Sequence, residues 1–216
     1  MSRYVLHNFF RSSTSYRVRA ALNLKGLEYD YKSYVLRAGE QRSELYLALN
    51  PQGLVPTLET PQGPLSQSLA ILEWLDETHP EPPLLPADPW GRARVRSLAY
   101  AVALEIHPLN NLRVLQHLQR NFGANEQAVA DWFRHWVGET FPALETRLSV
   151  ESDTGLYCHG DTPGLADLCL AGQVVNNRRF EVLMDPYPTI NRIFDGLMRL
   201  PAFESALPGN QPDADS

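Results

Sequence analysis

The chain has 216 residues, 44% of them hydrophobic and 20% charged, enough for one large or two small domains with a well-buried core. A formal net charge of −6, from 19 basic and 25 acidic side chains, argues against a nucleic-acid partner. Two cysteines, Cys158 and Cys169, form no C-x-x-C pair, and the six histidines show no metal-ligand spacing, so neither a disulfide framework nor a metal site is expected.

The N-terminus lacks the charged region, apolar core and small-residue cleavage site of a leader. The longest apolar stretch, 98–104, is stopped by Glu105, far short of a bilayer span. The expectation is a cytoplasmic protein of a reducing compartment with no membrane partner.

Residues 4–10 are a short apolar and aromatic run that predicts a buried strand. The hydroxyl cluster at 12–15 starts a helix whose stripe is Val18, Ala21, Leu22 and Leu24, and Gly26 is a fitting stop. Residues 29–36 return to strand character, and 41–49 read as a short helix that must end before Pro51. A strand at 55–59, a turn at Pro61-Gln62-Gly63 and a second arm at Leu65 follow. Ser66-Gln67-Ser68 then introduces a helix through Leu69, Leu72 and Leu75. This order suits a small mixed sheet covered by helices.

Four prolines within 80–86 interrupt the pattern and predict an extended linker. Beyond it, 93–106, 125–148, 165–175 and 187–198 carry apolar residues at helical spacing. The nearest thing to a basic cluster, Arg92, Arg94 and Arg96, is spread round a helix and reads as a solvated face. The expected division is therefore an α/β domain over 1–80, a linker over 81–88, an all-α domain over 89–208 and a flexible polar tail over 209–216.

Three short segments could carry chemistry. Arg11-Ser12-Ser13-Thr14-Ser15 sits where a strand meets a helix. Hydroxyls there can merely cap the helix, or they can join its unpaired N–H groups and positive dipole end to stabilise a phosphate, carboxylate or thiolate. Leu54-Val55-Pro56-Thr57 is either an ordinary strand-edge proline or a cis peptide presenting the Val55 backbone to a peptide-like ligand. At Leu65-Ser66-Gln67-Ser68, Gln67 could donate to a carboxylate while Ser68 caps a helix and faces an anion.

In combination and order these segments resemble the zeta class of glutathione transferases, which includes the maleylacetoacetate and maleylpyruvate isomerases. The run from Arg11 to Leu22 follows the signature S-S-C-S-x-R-V-R-x-A-L. Leu49-Asn50-Pro51, Val55-Pro56-Thr57-Leu58, Gln67-Ser68-Leu69-Ala70-Ile71 and Pro108-Leu109-Asn110-Asn111-Leu112 extend the likeness, as do Gly160-Asp161-Thr162, Leu165-Ala166-Asp167 and Arg179-Phe180. Two positions depart from it. Thr14 replaces the signature cysteine, removing any thiol role there, and Gly164 stands where Ser or Thr usually precedes L-A-D. Glycine costs a helix start only a few tenths of a kcal/mol relative to Ser, and Asp167 can still bond back to the Gly164 N–H.

The resemblance implies a glutathione transferase fold, with a thioredoxin-like N-terminal domain and a helical C-terminal domain, in a homodimer. It implies glutathione as cofactor and a small dicarboxylate-like substrate, maleylacetoacetate first and maleylpyruvate second. It implies Ser12 as the thiolate-stabilising hydroxyl assisted by Ser13. It also implies glutathione contacts from Gln41, Val55, Gln67, Ser68, His107, Asn111 and Arg113, and substrate contacts from Arg11, Arg113 and Arg179. His107 also reads as a satisfied structural histidine. Two other readings stand beside the isomerase: glutathione conjugation or dehalogenation of small electrophiles, and a non-catalytic regulatory or assembly module.

Overall fold

The computed structural model describes residues 4–214. They form two compact units, one running to Leu84 and resuming at Met198, the other spanning Leu85–Leu197. The first unit is built on β1 (Tyr4–Asn8), β2 (Tyr29–Ser33), β3 (Thr57–Thr60) and β4 (Gly63–Ser66), in the order β2-β1-β3-β4. β1 runs parallel to β2, with Tyr4 opposite Tyr29, and antiparallel to β3, with Leu6 opposite Leu58. A parallel pair needs a crossover, and α1 (Ser13–Leu24) provides it. The central β1 has Leu6 and Asn8 fully buried. The polar β2 and the proline-containing β4 take the two edges, where solvated side chains and a missing N–H are tolerated.

Helix ends follow the capping chemistry. Gly26 adopts a positive φ of 63° beyond α1, and the Leu27 N–H closes back on the Leu22 carbonyl. The strand expected over 29–36 stops at Ser33, and the helix expected over 41–49 is divided. A 3-10 turn at Glu40–Arg42 precedes α2 (Glu44–Leu49) because Ser43 accepts the Tyr46 N–H and sets the helix start. α3 (Ser68–Thr78) follows β4.

In the second unit, α4 (Pro89–Tyr100) begins earlier than expected, since Asp88 accepts the Gly91 N–H at 2.8 Å and Pro89 occupies the first turn. It passes into a π-helical stretch, Ala101–Ile106, and then α5 (His107–Asn110). α6 (Leu112–Phe122) was not expected; Asn111 caps its start and Gly123, at φ 67°, ends it. α7 (Glu126–Val150), α8 (Leu165–Arg179) and α9 (Pro188–Leu197) occupy the remaining expected stretches. α8 is buried over most of its length, which explains why its apolar residues run round the whole helix. The Gly164 N–H donates to Asp167 at 2.9 Å, as expected, and Asp167 also accepts the Cys158 N–H at 2.9 Å.

Two expectations are corrected. Arg94 does not lie on a solvated face: it is buried, and its guanidinium donates to Glu151, the Cys158 carbonyl and Thr154. A long planar donor fork satisfies several acceptors at once, which a helix-wheel argument does not register. The second correction concerns the C-terminus, where the helical unit ends at Leu197 and not at 208. α10 (Pro201–Glu204) and the residues after it pack in the first unit. Arg19 donates to the Ala206 and Phe10 carbonyls, and Asp213 accepts from the Phe10 N–H and the Tyr31 hydroxyl. Within the expected tail, Gln211 and Asp213 are buried. Among the described residues no helix is long and apolar enough to cross a membrane.

Candidate active site

Ser12 is the N-cap of α1, in extended backbone, with Oγ accepting the Ser15 N–H at 3.2 Å. Both sequence readings of this hydroxyl are therefore compatible: it caps, and it stands at the positive end of a twelve-residue helix. Ser13 is buried beside it, and Arg11 is exposed with its guanidinium 4.7 Å from the Phe10 ring centroid. Thr14 Oγ1 lies 2.9 Å from Ser12 Oγ and donates to the Val55 carbonyl at 3.3 Å. The strand–helix junction and the Val55-Pro56 segment, far apart in sequence, are thus joined by hydroxyls. The Val55–Pro56 peptide is cis.

The third predicted segment lies at the start of α3. Gln67 holds a positive φ of 70°, a conformation that costs a non-glycine residue energy and is found mostly where function requires it. Its side-chain amide donates to Gln52 at 2.8 Å, a residue the sequence did not single out. Ser68 is buried at the first position of α3 and accepts from Arg17 Nη1 at 3.4 Å. Arg17 is 1% exposed, and its Nε and Nη2 have no partner. A buried cation left incompletely bonded beside a helix N-terminus favours an anion there. Gln41, on the 3-10 turn before α2, likewise has a buried Oε1 without a partner. Arg17 stood inside the signature run, but nothing local distinguished its charge from that of Arg19, whose guanidinium is saturated by backbone carbonyls and Asn8.

The remaining predicted residues lie in the second unit. His107 opens α5 directly after the π-helical stretch, a departure from α geometry often found at functional positions. Asn111 spends its side-chain oxygen on the Arg113 and Val114 N–H groups at the start of α6, while the Arg113 side chain is exposed. Arg179 ends α8, exposed, 5.1 Å from the Phe180 ring centroid. Among the described residues there is no group of three or more His, Cys, Asp or Glu side chains arranged to hold a metal ion.

Chemically, the first unit offers two helix N-termini, each with a hydroxyl, a buried arginine, a half-buried backbone carbonyl at Val55 and two side-chain amides. That donor set suits a peptide-like ligand bearing carboxylates and a thiolate. Residues 11–78 match the glutathione S-transferase N-terminal domain. The chain is 48% identical to a maleylpyruvate isomerase of a Ralstonia species over 97% of this chain and 99% of that protein. It is 46% identical to the maleylacetoacetate isomerase of Pseudomonas aeruginosa over 96% and 97%. Its structure is similar to that of a maleylacetoacetate isomerase from Methylobacterium extorquens solved with malonate and glutathione bound. The TM-score is 0.95 and the identity 43%, with 98% of this chain and 100% of that one covered.

Proposed function

The chain belongs to the glutathione S-transferase family, in its zeta class with the maleylpyruvate and maleylacetoacetate isomerases, and from this we propose that it is a glutathione-dependent cis–trans isomerase of maleylacetoacetate. The observation that carries the reading is the Ser12 hydroxyl at the N-terminus of α1, tied through Thr14 to the Val55 carbonyl. Bound glutathione supplies a thiolate, whose reversible addition to a conjugated cis double bond lets that bond rotate before elimination restores it.

The protein's part is to hold that sulfur ionised and oriented. A free thiol titrates near 8.5, and each unit of lowering requires about 1.4 kcal/mol, within reach of a hydroxyl hydrogen bond and a helix N-terminus. Ser12 provides both, with Ser13 beside it. Gln67, Ser68 and the charge of Arg17 suit the carboxylate of a glutamyl end, Val55 suits the peptide backbone, and Gln41 has an acceptor to offer. Arg11, Arg113 and Arg179 are exposed cations suited to carboxylates of the substrate. His107, Asn111 and Arg113 join the glutathione contacts by resemblance alone. The first unit is accordingly the glutathione-binding part and the second the substrate-selective part. A cytoplasmic homodimer completes the reading.

A second reading, maleylpyruvate as substrate, is favoured by the 48% identity to the Ralstonia enzyme. Measuring turnover of both maleyl compounds, with and without glutathione, separates the two by their kcat/KM. In the same assay Ser12→Ala should lower kcat/KM about a hundredfold, the cost of losing one donor to a developing anion. Undiminished turnover in that variant would show the thiolate assignment to be wrong.

A further inference from the structure

Thr14 carries a hydroxyl where the resembled signature has a thiol, and the reaction as described does not require it. The residue is 9% exposed, with Oγ1 2.9 Å from Ser12 Oγ and 3.3 Å from the Val55 carbonyl oxygen. Ser12 Oγ also accepts the Ser15 N–H. Each hydroxyl has one hydrogen. The Val55 oxygen can only accept, so the Thr14 hydrogen points at it, and the hydrogen in the 2.9 Å contact comes from Ser12. The chain therefore runs from the Ser15 N–H to Ser12, from Ser12 to Thr14, and from Thr14 to Val55. In this arrangement, assigned from the acceptor-only Val55 oxygen, the one hydrogen of Ser12, the hydroxyl assigned to the sulfur, is committed to Thr14.

We propose that Thr14 is a positioning residue which reverses this hydroxyl chain when a peptide N–H takes the Val55 carbonyl, turning the Ser12 hydrogen toward the sulfur. The proposal rests on the glutathione reading above. Once the Val55 oxygen is shared with an amide donor it is a poorer acceptor for Thr14. A negative sulfur near Ser12 makes Ser12 Oγ a better one. The Thr14 hydrogen then rotates to Ser12 Oγ, which accepts from both Thr14 and the Ser15 N–H while donating outward. Only hydrogens move. A hydroxyl that accepts two hydrogen bonds is polarised into a stronger donor, so occupation of the Val55 carbonyl is coupled to ionisation of the thiol. A cysteine at this position would offer only a weak S–H donor, and a valine none.

The test titrates the thiol of bound glutathione by its ultraviolet thiolate absorbance in the wild type, Thr14→Val and Thr14→Ser, with binding followed by calorimetry. Thr14→Val should still bind glutathione but raise the bound thiol pKa, lowering the thiolate fraction at neutral pH about three- to tenfold, the range of one neutral hydrogen bond. Thr14→Ser should restore it. A glutathione analogue methylated on its cysteinyl amide nitrogen cannot donate to Val55, so in the wild type its bound thiol should titrate higher than that of glutathione. Equal thiol pKa values in wild type and Thr14→Val, or for the two ligands in the wild type, would overturn the relay while leaving the glutathione reading intact. Absence of glutathione binding to the wild type would overturn that reading and the relay together.

Discussion

At the scale of single residues, Ser12 combines a helix cap and a candidate thiolate donor in one atom, and the two roles have different energetic scales. Losing a Ser cap costs about 1 kcal/mol of stability, which leaves a protein folded, so a hundredfold loss of turnover in Ser12→Ala would report chemistry. His7 presents a second residue-scale case. Its Nε2 lies 2.6 Å from Glu59 Oε1 and its Nδ1 2.8 Å from the Tyr34 hydroxyl. Glu59 accepts from Nε2–H and Tyr34 donates to Nδ1, so the neutral ring is fully satisfied. Burial lowers the His7 pKa from its usual value, outweighing the opposing pull of Glu59, and Lys32 lowers it further. An imidazole whose folded pKa is depressed contributes stability above its unfolded pKa and loses it as pH falls toward the folded one. Urea unfolding at about pH 7.5 and pH 5.5 should therefore show the wild type losing more stability on acidification than His7→Gln, across the range just below the ordinary histidine pKa. Equal losses would mean that His7 does not titrate in that window.

Among the helices, the start of α8 shows how an element survives a poor cap. Gly164 has no side chain to offer the exposed N–H groups, and Asp167 instead takes the Gly164 and Cys158 N–H groups on its two oxygens. Burial raises the Asp167 pKa, while those two N–H groups oppose the shift. Replacing Asp167 by Ala leaves the buried Cys158 N–H and the part-buried Gly164 N–H without this acceptor and should cost about 2–4 kcal/mol in denaturant unfolding at unchanged m-value. A loss under 1 kcal/mol would assign the start of α8 to packing alone. The Asp167 bond was legible because a capping box has fixed spacing. The α6 helix was legible too, with Asn111 before it, Gly123 after it, and Leu115, Leu118 and Phe122 at helical spacing between them. The early start of α4 had a similar signal in Asp88-Pro89.

For the molecule as a whole, the C-terminal segment is the feature most unlike its sequence expectation. Polar composition marks 209–216 as loose, yet Asp213 bonds the Phe10 N–H just ahead of Arg11 and Ser12, and the hydroxyl of Tyr31. Asp213→Ala should therefore destabilise the protein by about 2 kcal/mol in denaturant unfolding, and removal of everything after Leu207 should cost at least as much. A truncated protein as stable as the full chain would restore the flexible-tail view.

The sequence by itself determined the order of strands and helices in the first eighty residues, the proline-rich break and the positions of the three candidate segments. Strand and helix periodicity, caps and prolines are local, and Ser12, Val55, Gln67 and Ser68 each stand at a boundary that such signals mark. Tertiary structure alone decided which polar groups meet. Thr14 finds a carbonyl 41 residues away, Arg17 a hydroxyl 51 residues away, and Arg94 acceptors 57 and 64 residues away, past α5, α6 and α7. A buried polar group must bond to whatever acceptor packing brings near, and no local pattern records which one that is. The same necessity holds the C-terminal segment in the first unit, where Arg19 needs the Ala206 carbonyl as much as the segment needs Arg19.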